Sequence, residues 1–183
     1  YRTRARAEKH HGRLRPSRIA CLIKMRNRKL KVRLIHDLRR SGVNKHIKVK
    51  ERIVLPRVCG AINSVLQFVR LSGGADLEFL AGDVQDAFKQ LIVSPNERIF
   101  LSGAAMGGWL VYWTVLFGVI SGLLLWGRVA ALIMRGSQRV LPHNIGRLHC
   151  YVDDPLVGCS GAPDVILHAI LKVVILCVAL GLN

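Results

Sequence analysis

The sequence predicts an α+β fold in which an antiparallel sheet is backed by helices. Three observations carry that expectation. Short alternating or β-branched runs end in turn residues, which is the pattern of strands in hairpins. Three longer segments space their apolar residues as helices do. The apolar residues of a 183-residue chain are enough for one domain with a real core, or one and a half.

The elements follow in order. "YRTRARAEKHHGRLRPSR" has almost nothing to bury and predicts a basic, unstructured segment over 1–22. "KLKVRLIHDLRRSGVN" alternates charge with Leu30, Val32 and Leu34 as a strand does, and its Ser-Gly pair marks a turn. "ERIVLPRV" reads as an extended edge segment stopped by Pro56. "CGAINSVLQFVRLSGG" places Ile62, Val65, Leu66 and Val69 on one helical face, closed by Gly73 and Gly74. "DLEFLAGDVQDAF" begins as a strand and passes Asp83 and Asp86. "ERIFLS" and "WLVYWTVLF" are β-rich and separated by "GAAMGG", a hairpin signature. "SGLLLWGRVAALIMRGSQRVL" predicts a helix. "RLHCYV" and "PLVGC" are two short strands around Asp153 and Asp154. "APDVILHAILKVVILCVALG" predicts a final buried helix.

Charge divides the chain. Residues 1–70 carry 21 Lys and Arg against three acids, a balance of +18, whereas 71–183 carry 7 against 8, a balance of −1. A basic block of this density points to a polyanion, because each neutralised phosphate releases a counterion. The five cysteines have no metal-ligand or paired spacing, which argues against zinc and against a disulfide framework and makes a reducing, intracellular compartment the default. The start at Tyr1 and the stop after an apolar stretch read as a piece of a longer protein, so the want of a signal peptide says little. The uncharged run from Ser102 to Gly127 is 26 residues long, enough to span a bilayer. Gly103, Gly107, Gly108, Gly118 and Gly122 and many β-branched residues break it, so no membrane span is expected. His10 and His11 are read as solvated. No Ser/His/Asp or Cys/His arrangement argues for a hydrolase.

Asp83, Asp153 and Asp154 each follow a strand-like run. If those strands are neighbours, three carboxylates converge, repel one another, and call for a divalent cation. Mg2+ prefers oxygen ligands and is held by one or two carboxylates plus substrate phosphates. Two such ions serve phosphoryl transfer. The rival reading is a plain polar turn.

Four stretches then carry a resemblance. "RLIHDLRRSGVN" at 33–44, "DVQDAF" at 83–88, "FGVISGLLLW" at 117–126 and "YVDD" at 151–154 resemble, in that order along the chain, the motifs of reverse transcriptases, most closely those of retrotransposons and other retroelements. The resemblance implies a polymerase palm over 76–183, a basic, partial fingers region over 23–75, and no thumb. It implies RNA-directed DNA synthesis with two Mg2+ ions, Mn2+ being an alternative, held by Asp83, Asp153 and Asp154. It implies that Arg33, Asp86, Ala87, Phe88 and Gly118 bind the incoming deoxynucleotide, with Phe88 excluding a 2′-hydroxyl. Arg39 and Tyr151 would meet template and primer. The implied partners are an RNA or DNA template with its primer and dNTPs, within a longer polyprotein; where in the cell it works, cytoplasm or nucleus, stays open.

Three positions depart from the family pattern: Leu123 stands for a Pro, Trp126 for a Phe, and Pro155 follows the aspartates, where it is expected to distort the return strand. The alternatives are a decayed polymerase that binds nucleic acid without catalysis, and a membrane protein with a basic juxtamembrane arm.

Overall fold

The computed structural model describes residues 1–26, 28–55, 57–73 and 76–182. The expected breaks at Pro56 and Gly74 lie outside the described residues. The elements run α1 (Arg4–His11), β1 (Ile19–Arg26), β2 (Lys29–His36), α2 (Val43–His46), α3 (Val58–Leu71), β3 (Leu77–Ala81), β4 (Ser102–Ala105), β5 (Gly108–Val111), α4 (Gly122–Val140), β6 (Gly146–Tyr151), β7 (Asp154–Ser160) and α5 (Pro163–Ala179). Mixed helices with antiparallel strands make this an α+β fold. The chain partitions into two compact units, 1–52 with 88–125, and 53–87 with 126–183. They interleave along the sequence.

In the first unit, α1 forms where an unstructured segment was expected. Thr3 accepts a hydrogen bond from the Arg6 amide at 3.3 Å and caps the helix. Glu8 accepts from Arg4 at 2.9 Å and from the Leu14 amide at 3.0 Å, and Ala7 and Leu14 are buried. Strands β1 and β2 pair from Ile19↔His36 to Arg26↔Lys29. "ERIFLS" is not a strand: Pro95 opens a 3-10 turn over Pro95–Phe100. The hairpin falls inside "GAAMGG" instead. Met106 and Gly107, at φ +51° and +71°, make a tight two-residue turn between β4 and β5. The core of this unit gathers Leu38, Val93, Leu101, Val115 and Leu116.

The second unit is built on a three-stranded antiparallel sheet in the order β3–β7–β6. Leu141, Val157, Cys159, Ile166, Ala169 and Val173 form its core. Helix α5 contributes Ile166, Ala169 and Val173, one stripe at helical spacing. Leu167, Leu171, Ile175 and Val178 on its other side are exposed, so the expected all-round burial is replaced by a one-sided one. Among the described residues no helix is long and apolar enough to cross a membrane.

Candidate active site

Strands β6 and β7 pair from Gly146↔Cys159 to Tyr151↔Asp154, leaving Val152 and Asp153 as a two-residue turn. Val152 has φ +60° while Asp153 does not enter the positive region. That combination of φ signs matches a type II′ turn, whose first position normally holds glycine. A β-branched residue there is strained, and such strain persists only where surrounding structure enforces it. The Val152 C=O accepts from the Trp126 indole Nε1 at 2.7 Å and from the Cys150 thiol at 3.4 Å. Trp126 is 1% exposed. Burial first, then the charges of Asp153 and Asp154, push the Cys150 thiol up, so it keeps its proton and remains a donor.

Strand β3 runs beside β7 from Leu77↔Ser160 to Ala81↔Leu156. Two further bonds carry the same register onward. Gly82 donates to the Pro155 carbonyl at 2.9 Å, and Val84 donates to the Asp153 carbonyl at 2.8 Å. Asp83 is thus bracketed directly opposite Asp154, at a non-hydrogen-bonded position. There the Cα atoms of an antiparallel pair lie about 4.5 Å apart and both side chains leave the same face. Asp154 also faces Tyr151, so Tyr151, Asp154 and Asp83 form a row across the three strands, all exposed. The expected distortion by Pro155 is absent. The β6–β7 ladder is unbroken, and because the Pro155 carbonyl faces β3, the missing N–H falls on that side too. Gly82 makes room there: a Cβ on it would meet the Pro155 ring at 3.2 Å.

The three sequence-predicted ligands are therefore neighbours in backbone register. Among the described residues, however, no group of three or more His, Cys, Asp or Glu side chains forms a metal-holding cluster. What stands together is a pair, Asp83 with Asp154, while half-buried Asp153 occupies the turn. Two hard oxygen donors on an exposed face fit Mg2+ as proteins usually hold it, with substrate phosphates completing the shell.

Of the other residues expected at the site, Asp86 has φ +51° and is exposed, and Ala87 is buried at the start of a 3-10 turn. These two belong to the second unit, as does Tyr151. Arg33, Arg39, Phe88 and Gly118 belong to the first. Arg33 is exposed on β2, opposite Leu22, and Arg39 is exposed in the turn that follows. Half-buried Phe88 packs edge-to-face on Phe117, with ring centroids 5.9 Å apart. Gly118 takes φ +102°, a conformation that suits glycine.

Two residues with structural work at these motifs were missed. Asn44 donates to the Gly118 carbonyl at 2.9 Å and accepts from the Ile120 amide at 3.1 Å, tying "RRSGVN" to "FGVISG". Its signal was its place at the end of the fingers-like motif. Trp126 was visible only as a departure from a family pattern.

Comparison with solved structures finds a similar fold in the prototype foamy virus protease–reverse transcriptase, at TM-score 0.60 and 15% identity. The match covers 90% of this chain and 19% of that one, so the chain spans about a fifth of that protein. The fold is reverse-transcriptase-like. No family model matches the chain, and no curated protein matches it by sequence.

Proposed function

We propose that the chain is the fingers–palm part of a retroelement RNA-directed DNA polymerase. It extends a primer 3′-hydroxyl on an RNA or DNA template with dNTPs. The observation that supports this most is Asp83 held opposite Asp154, one residue from Asp153, at the strand ends of a reverse-transcriptase-like sheet. In the reaction the primer 3′-oxygen bonds to the α-phosphorus, the bond to the bridging oxygen breaks, pyrophosphate leaves, and the hydroxyl proton passes to solvent. Asp83 and Asp154, with Asp153, would hold Mg2+ or Mn2+. A bound divalent ion supplies activation of the hydroxyl and stabilisation of the leaving oxygen. Arg33 pairs with triphosphate oxygens through its planar fork. Asp86 and Ala87 offer backbone amides, and Phe88 closes the space a 2′-oxygen would need. Gly118 allows close approach of a base pair, Arg39 steadies template, and Tyr151 lies by the primer end.

That no cluster of three carboxylates forms among the described residues favours one second reading, a relic that binds nucleic acid without chemistry. Primer extension on an RNA template with Mg2+ separates the two. Extension that Asp83→Ala and Asp153→Ala each abolish supports the polymerase. Salt-sensitive binding to RNA–DNA duplex without extension supports the relic.

A further inference from the structure

We propose that Trp126 is a positioning residue whose indole N–H fixes the Val152–Asp153 peptide, and with it the direction in which Asp153 leaves the hairpin. This rests on the polymerase reading for its consequence in catalysis, but the contact itself does not. Types I′ and II′ share a positive φ at the first turn residue. They differ by a rotation of the peptide between the two turn residues, which swings one carbonyl and the following N–H. Here that carbonyl is the one on Val152, and it is the acceptor for Trp126 at 2.7 Å. The N–H on the other end of the same peptide belongs to Asp153. Holding the carbonyl therefore holds the backbone from which Asp153 starts.

Two further features make the contact more than packing. The turn needs holding, because Val152 occupies a glycine position at φ +60°. The indole is also almost fully buried, so its N–H would lose a hydrogen bond outright were the peptide to rotate away. The Cys150 thiol, at 3.4 Å from the same oxygen, adds a weaker donor. A phenylalanine, the residue the family pattern puts at this point, fills space but donates nothing. The indole and the strained valine thus form a matched pair: the brace compensates for the absence of glycine.

The matched pair can be tested by rescue. Trp126→Phe should lower the melting temperature by about 2–4 °C, the effect of one lost hydrogen bond in a chain of this size. It should also lower the extension rate at saturating dNTP about tenfold, with the dNTP KM changed less than about twofold, because the loss is of orientation rather than of substrate contact. Val152→Gly, which adopts the turn without strain, should restore most of both in the double variant. In the unmodified protein the Trp126 indole proton should exchange with solvent at least about tenfold more slowly than that of exposed Trp113. Equal exchange of the two indoles would overturn the proposal. So would a Trp126→Phe deficit that Val152→Gly leaves uncorrected, which marks ring packing alone. The exchange and melting measurements need no catalysis. If the unmodified chain extends no primer, the polymerase reading fails while these two still decide the brace.

Discussion

The hairpins β1–β2 and β6–β7 use the same ladder to opposite ends. In β1–β2, Ile23, Met25 and Leu30 are 63%, 71% and 62% exposed, and the polar partners between them are basic. Lys24 faces Lys31 directly across the ladder. Like charges so placed repel, which is tolerated where a polyanion is to be met. In β6–β7 one face is sealed by Val157 and Cys159 against α5, and the other carries Asp154 with Tyr151, with Asp83 set opposite Asp154. Both turns contain a residue other than glycine at positive φ, Arg28 at +59° and Val152 at +60°. At Val152 a buried indole braces the turn. The lesson is that strand pairing alone does not set precision. A ribbon exposed on both sides presents its charges to solvent, whereas a ribbon anchored on one side can hold carboxylates in fixed register.

The largest contrast should appear in chemistry. Asp83→Ala or Asp153→Ala should lower primer extension by at least about 1,000-fold, since lost stabilisation of developing charge amounts to several kcal/mol and each 1.36 kcal/mol is tenfold. Truncating Lys24 or Lys31 of β1–β2, away from Arg33, should leave the extension rate at saturating template near normal. Stability should divide the two regions next. Leu141→Ala, in the core beneath β7, should destabilise by about 2–5 kcal/mol in denaturant melts. Met25→Ala on the exposed ribbon should change stability by less than about 0.5 kcal/mol.

Salt gives a smaller effect that belongs to the basic ribbon. Replacing Lys24 and Lys31 by Gln should reduce the slope of log affinity against log salt for RNA–DNA duplex by about 1–2. The smallest effect concerns the base of that ribbon. His36 is 5% exposed, shares a 2.9 Å hydrogen bond with the Ser17 hydroxyl, and packs edge-to-face on Tyr112. Burial holds its pKa below the ordinary imidazole value. The unfolded chain therefore takes up the proton first as pH falls below about 6.5. Stability is full above that pH and declines below it, and His36→Gln should flatten the decline of melting temperature between pH 7 and pH 5.

Much of this was legible because it is local. The helical spacing of Ile62, Val65, Leu66 and Val69 reappears as α3, and the alternation around Asp153 and Asp154 reappears as β6 and β7. Other features depend on partners far along the chain. Ala7 and Leu14 look isolated in a basic run, so nothing in the sequence announces that α1 will bury them. "ERIFLS" has strand-like residues, but Pro95 fixes the first turn of a 3-10 segment. The opposition of Asp83 to Asp154 is a matter of register between strands some seventy residues apart, which propensity does not encode. The Trp126 brace is likewise a contact at a separation of 26 residues. The carboxylates themselves could be found from the sequence, but not the way backbone pairing leaves them as a pair with a third nearby.

The register of β3 on β7 is the claim on which the site depends, and cross-linking tests it most directly. Antiparallel residues opposed at a non-hydrogen-bonded position lie within disulfide reach. In a background with the five native cysteines replaced by serine or alanine, Asp83→Cys with Asp154→Cys should oxidise rapidly to an intramolecular disulfide. Asp83→Cys with Leu156→Cys, two positions out of register, should form it far more slowly. Equal rates for the two pairs, or faster closure of the second, would contradict the placement of Asp83 opposite Asp154.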